Sequence, residues 1–135
     1  MNFTSGVQRV AHLDVAATRE AAAEQGVAVY ELPSSGITDY VAFFDWIRAH
    51  VPLSPPIRRA GSWDALKDSL WQGLFDLKPS RIVFIWPNVD AMLPADDRDT
   101  ALFILGDVAA NLANAAFTQG HPKVFTILAG PLRVS

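Results

Sequence analysis

The chain contains three short runs of nearly continuous apolar residues: "VAVYEL" at 27–32, "IVFIW" at 82–86 and "VFTIL" at 124–128. Each run is rich in β-branched and aromatic residues, which is typical of strands covered on both faces in a parallel sheet. Parallel strands need long crossover connections, and long segments separate these runs. The pattern therefore predicts an α/β domain with a three-stranded parallel sheet and right-handed crossovers.

Two helices are predicted between the first and second strands. In the first helix, apolar residues recur at helical spacing over 40–51 after Thr38, which we expect to be its N-cap. The segment "PLSPP" ends this helix, because proline lacks the amide hydrogen. The second helix begins after Ser62, also a good N-cap, and runs to about residue 77, shortly before Pro79. A loop ending near Gly61 joins the two helices.

A longer helix is predicted between the second and third strands. The segment "ADDRD" places acidic residues in its first turn, where they complement the helix dipole, and Gly120 marks its end. Its buried stripe is predicted to consist of Ala101, Leu105, Val108, Leu112 and Ala116.

The first 26 residues are interpreted as an N-terminal extension of a single domain that spans residues 1–135. Asp14 as a cap, an alanine-rich stretch and Gly26 as a stop indicate a helix in this extension. Residues 6–12 are a candidate edge strand.

The composition of the chain limits the kinds of binding partner and the cellular location that we expect. The net charge of -3 provides no general attraction for nucleic-acid phosphates. Cysteine is absent, so no disulfide or thiolate metal site can form. The chain has no secretory signal pattern and no apolar run approaching the ~20 residues that span a bilayer, so we expect a cytoplasmic protein without a membrane segment.

The helix predicted at 62–77 has two distinct faces. At about 100° per residue, one narrow sector is the predicted core face. It contains Trp63, Leu66, Leu70, Leu74 and Leu77. A second sector combines acidic and aromatic residues that cannot point into the same core. It contains Asp64, Asp68, Trp71 and Phe75.

The two aspartates of this second face are one helical turn apart. Asp64 lies in the first turn, where the exposed amides stabilise a carboxylate, but Asp68 lies beyond it. Their like-charge spacing costs roughly 0.2 to 0.5 kcal/mol, which Lys67 can partly offset. Two interpretations follow: a solvated helix face, with Trp71 and Phe75 packed under neighbouring segments, or an acidic face with exposed aromatics that binds a cationic protein surface.

The segment "SWDALKDSL" at 62–70 resembles the core motif of the barstar family, the intracellular inhibitors of barnase-type ribonucleases, which reads Asn-Trp-Asp-Ala-Leu-x-Asp-x-Leu. The resemblance extends from about Gly26 to Gly130 and includes the order of the predicted elements and the segment "RIVFIWPNVDAML". It implies a two-layer barstar-like fold with the three strands in the order 1-2-3.

The same resemblance implies roles for individual residues. Asp64 and Asp68 occupy the two aspartate positions, which in the family face the ribonuclease active site, and Asp68 matches the dominant one. Their carboxylates would stand in for substrate phosphates. The loop before the motif also contributes contacts in the family, which places residues from Ile57 to Gly61 at the interface. We further expect Trp71 to extend the contact.

The chain departs from the family pattern at several of these positions. Arg58 and Arg59 stand where aromatic residues are usual, Ser62 replaces an asparagine, and Lys67 replaces a residue that is often aromatic or acidic. The added positive charges weaken the match to a strongly cationic active site. They favour an alternative, a barstar-like module that binds a non-ribonuclease partner or toxin domain, or that assembles with itself.

Motifs for catalysis or cofactor binding are absent from the sequence. No glycine-rich phosphate-binding pattern follows a strand, and no histidine has a partner at metal-ligand spacing. We therefore expect a non-enzymatic inhibitor without cofactor or metal, monomeric rather than oligomeric, whose partner is a ribonuclease or another toxin-like protein with a cationic site.

Overall fold

A parallel β-sheet lies at the centre of the protein, for which a computed structural model describes residues 1–133. Within those residues the sheet has four strands, in the order β1-β4-β3-β2. The strands are β1 (Gly6–Arg9), β2 (Ala28–Glu31), β3 (Arg81–Pro87) and β4 (Val124–Gly130). The predicted α/β class and the parallel sheet are therefore confirmed.

The predicted sheet of three strands in the order 1-2-3 is wrong, because the N-terminal segment contributes a further strand. β1 pairs in parallel with β4, from Gly6 opposite Thr126 to Arg9 opposite Ala129. The candidate edge strand at 6–12 is thus confirmed over four residues. β1 is short and includes Gln8 and Arg9, so it lacks the continuous apolar run by which interior strands are recognised.

Helices cover both faces of the sheet, so the two-layer prediction is also wrong. One face packs against α1 (Val15–Gln25), whose Ala22 is fully buried beside Val83 and Ile85. The opposite face packs against three helices and forms the larger core. These helices are α2 (Tyr40–His50), α3 (Trp63–Phe75) and α4 (Ala95–Leu112), and a short 3₁₀ turn, Val89–Ala91, precedes α4.

Capping residues fix where several helices begin and end. The Asp14 carboxylate accepts a hydrogen bond from the Ala17 amide at 3.0 Å, and Gly26 ends α1 in the left-handed conformation, as predicted. The cap of α2 is Asp39 and not Thr38, because the Asp39 carboxylate accepts from the Ala42 amide at 2.8 Å.

The other two helices differ from prediction at their ends. The Ser62 hydroxyl caps α3 by accepting from the Asp64 and Ala65 amides, as predicted, and α3 ends at Phe75, slightly before the expected stop. α4 ends at Leu112 and not near Gly120, so Ala116 lies beyond the helix and is exposed, and its predicted place in the buried stripe is wrong.

A buried lysine closes the C-terminal end of α3. Lys123, only 6% exposed, donates from Nζ to the carbonyl oxygens of Leu74 at 2.9 Å and Pro79 at 3.1 Å, and also to that of Leu77. Burial lowers the pKa of Lys123, and the Asp76 carboxylate opposes this shift. The ammonium group therefore supplies a donor to the carbonyl oxygens of Leu77 and Pro79, just after the helix, and a second donor to that of Leu74, which also accepts from the Leu77 amide.

Lys123→Met is expected to lower the free energy of unfolding by about 2 kcal/mol, because it leaves buried carbonyl groups without a donor while preserving side-chain volume. Urea unfolding at neutral pH measures the change. The control is Lys78→Met, which removes the same charge from an exposed position after α3. Equal stability of the two variants would contradict the capping role of Lys123.

Candidate functional site

Helix α3 presents two carboxylates to solvent. Asp64 lies in its first turn, and Asp68 follows one turn later; both residues are exposed, as predicted. Neither carboxylate accepts a hydrogen bond or forms an ion pair with any of the residues 1–133. The like-charge repulsion between them is therefore not relieved by direct pairing within the described part of the chain.

The predicted core face of α3 is confirmed. Leu66, Leu70 and Leu74 are buried, and Trp63 and Leu77 are half-buried against the same core. Trp63 also lies against the rings of three residues of α2, at centroid distances of 5.0, 5.9 and 6.4 Å. This packing fixes the orientation of α3, so that Asp64 and Asp68 lie on its exposed side.

The expectation of exposed aromatics beside the aspartates is wrong. Trp71 and Phe75 are half-buried and pack against the main core, and their rings stack with centroids 5.0 Å apart and an interplanar angle of 15°. α4 packs alongside α3 and covers part of this side of the helix. Only part of Trp71 remains accessible for the contact that the sequence predicts for it.

Lys67 has a specific partner on another helix. Its ammonium group donates to the Asp107 carboxylate of α4 at 3.0 Å. The hydrogen bond and the charge of Asp107 raise the pKa of Lys67, and Asp64 and Asp68 make smaller contributions in the same direction. Lys67 is therefore paired across the α3–α4 contact and is not the direct partner of either aspartate of the acidic face.

The loop at 57–61 precedes α3, and the sequence predicts that it contacts the partner protein. Ile57 is half-buried against the core, whereas Arg58, Arg59 and Gly61 are exposed. The Arg48 guanidinium of α2 donates to the Arg58 carbonyl oxygen and anchors the loop. The side chains of Arg58 and Arg59 form no ion pair within residues 1–133, so both add positive charge beside the acidic helix.

A groove of about 400 Å³ runs between α3 and α4, next to the acidic face. It is lined by Lys67, Asp68, Trp71, Val108, Asn111 and Phe117. The sequence placed the first three of these residues at the site; it assigned Val108 to the core of α4 and gave no role to Asn111, Phe117 or Asp107. Their positions depend on how α4 packs against α3, and no local pattern in the sequence reports that packing.

The described residues contain no group of three or more histidine, aspartate or glutamate side chains that could hold a metal ion. Across residues 1–133, no helix combines the length and apolar character that crossing a membrane requires.

The fold and the site together define an α/β protein with an all-parallel sheet and an exposed acidic helix beside a basic loop. Comparison of the chain with models of protein families, with curated proteins and with solved structures finds no match.

Proposed function

We propose that this protein is a reversible one-to-one inhibitor of a basic, extracellular-type ribonuclease and that α3 blocks the active site of that enzyme. The observation that carries the proposal is the exposure of Asp64 and Asp68 on one face of α3 without a cationic partner among residues 1–133. In this proposal the protein acts in the cytoplasm, as a monomer, without catalysis and without a cofactor.

The chemistry of such an inhibitor follows from the charge of its target. A ribonuclease active site presents cationic side chains that bind RNA phosphates, and two carboxylates one helical turn apart can occupy those phosphate positions. Binding would also relieve the repulsion between Asp64 and Asp68. Long-range attraction between the acidic helix and a basic enzyme would accelerate association, and salt would weaken that attraction.

The resemblance to the barstar family supports the same proposal. The residues that carry the motif, from Ser62 to Leu70, lie on a capped helix that follows an exposed loop and precedes an interior strand. Asp64 and Asp68 occupy the aspartate positions of the motif on the exposed side of that helix. The proposed contact surface comprises α3 and the loop at 57–61.

The proposal is tested by assaying a panel of small basic ribonucleases with increasing amounts of the protein. We expect stoichiometric inhibition of at least one member, with an association rate that falls steeply as salt is raised from low to physiological concentration. Acidic ribonucleases in the same panel are the control, because their net negative charge removes the long-range attraction for the acidic helix. If no basic ribonuclease is inhibited, the proposal is refuted.

A second candidate function is supported by the positive charges around the acidic face. Arg58 and Arg59 are exposed without ion-pair partners in the described residues, and a strongly cationic target would repel them. A barstar-like module that binds a non-ribonuclease toxin domain, with acidic as well as basic groups on its surface, would match both signs of charge. Failure of the whole ribonuclease panel would favour this candidate.

A further inference from the structure

The groove between α3 and α4 is lined by three apolar residues and by the polar residues Lys67, Asp68 and Asn111. Val108 at its base is fully buried, and Trp71 forms part of one side. Phe117, in the turns after α4, is 59% exposed although its side chain is large and apolar. A space of about 400 Å³ lies within the range of ~300 to 1,000 Å³ typical of ligand-binding clefts. It is large enough to accept a bulky side chain of a partner.

The rim of the groove is charged, and its charge is acidic overall. The Lys67 ammonium is paired with Asp107 at 3.0 Å, so it does not neutralise Asp68 by direct contact. Asp68 lines the groove with an unpaired carboxylate, and Asp64 lies one turn away on the same helix. A segment that enters the groove therefore meets apolar surface inside and negative charge at the edge.

We propose that the groove is an anchor site for a protein loop that presents a bulky apolar side chain next to an arginine or lysine. The apolar side chain would pack between Trp71 and Phe117, and the basic neighbour would pair with Asp68 at the rim. This inference rests on the proposed function for the cationic character of the partner, and it adds an apolar determinant of partner choice to the electrostatic one.

Other occupants fit the groove less well. A nucleic acid would place phosphates beside Asp64 and Asp68, which repel them. An acidic peptide would meet the same repulsion, and a purely apolar one would leave Asp68 desolvated without a partner. The apolar lining and the acidic rim of the groove together therefore favour a segment that combines an apolar residue with a basic one.

The test uses blocked tetrapeptides and no ribonuclease. The first peptide has phenylalanine followed by arginine between two glycines; the second has alanine in place of phenylalanine; the third has glutamate in place of arginine. Binding is followed by NMR through the indole N–H signal of Trp71, assigned with Trp71→Phe. We expect the first peptide to shift this signal and the other two to bind at least about tenfold more weakly, because each lacks one of the two interactions.

Two matched variants locate the binding site. Phe117→Ser is expected to weaken binding of the phenylalanine–arginine peptide by about threefold or more, since it removes one wall of the groove. Phe103→Ser, at an α4 residue that is 73% exposed and does not line the groove, is expected to leave binding unchanged.

Equal binding of the first two peptides, equal effects of the two variants, or no shift with any peptide would each overturn the proposal. Because the assay contains no ribonuclease, peptide binding without inhibition of any ribonuclease would refute the proposed function alone. Inhibition without peptide binding would refute only the anchor site.

Discussion

Replacing Asp68 with alanine is expected to accelerate dissociation of the protein from an inhibited ribonuclease by roughly 30-fold to several thousand-fold. This range corresponds to the ~2 to 5 kcal/mol lost when one member of a desolvated, hydrogen-bonded charge pair is removed, since the partner's cation then stays buried without a counter-charge. The association rate is expected to change much less, because the other acidic residues still steer the encounter. Stopped-flow association and competition-based dissociation measurements separate the two rates.

Two further variants establish that the effect comes from position and not from net charge. Asp96→Ala removes the same charge from an exposed residue in the first turn of α4, three helical turns from the Asp107 that pairs with Lys67. This variant should leave the dissociation rate within about twofold of the parent. Asp68→Asn preserves the shape and is expected to lose most of the affinity that Asp68→Ala loses. A normal dissociation rate for Asp68→Ala would exclude α3 as the centre of the interface.

Gly73→Ala is expected to lower the free energy of unfolding by about 3 kcal/mol, near the upper end of the usual cost of overpacking. Gly73 lies in the buried part of α3, and a Cβ atom there would overlap the carbonyl group of Pro52 and lie 3.0 Å from the Cα of Leu53. Both obstacles are backbone atoms, which cannot move aside by changing rotamer. Thermal and urea unfolding of the variant measure the loss.

The same substitution should also weaken ribonuclease binding, because residues 52 and 53 lead into the loop at 57–61. The control is Gly106→Ala in α4, where a Cβ would meet only the Val7 side chain, at an ordinary 3.6 Å. Replacing a helical glycine with alanine stabilises a helix by up to ~1 kcal/mol, so we expect this variant to be as stable as the parent or more so. Unchanged stability of Gly73→Ala would disprove close packing of residues 52 and 53 on α3.

The sequence predicted the strands and helices after residue 26 better than the N-terminal segment. β2, β3 and β4 were recognised because their residues are nearly all apolar, and α3 was recognised from Ser62 and a leucine repeat. β1 completes one edge of the sheet, and α1 packs through alanines with a weak apolar face, so neither has a strong periodic signal. The sequence indicated a strand and a helix in this segment, but it did not predict that they join the sheet as a fourth strand and cover its second face.

For the candidate site, local geometry was predictable and tertiary pairing was not. Helical spacing alone placed Asp64 and Asp68 together on the side away from Leu66 and Leu70. The partner of Lys67 could not be found, because Asp107 is forty positions away and approaches only when α4 packs on α3. Packing of α4 also partly covers Trp71, and the sequence of α3 alone contains no pattern that predicts this contact.

The position of β4 between β3 and β1 has a consequence for synthesis on the ribosome. β1 emerges first, yet the strand with which it pairs is the last of the four to be translated. Pairing of β2 with β3 needs no later strand, whereas α3 packs on α4 and is closed at its C-terminal end by Lys123, both of which are translated after it. We therefore expect β1 to remain without its neighbour in the sheet until β4 has left the ribosome, so that a truncated translation product lacking β4 would leave β1 undocked.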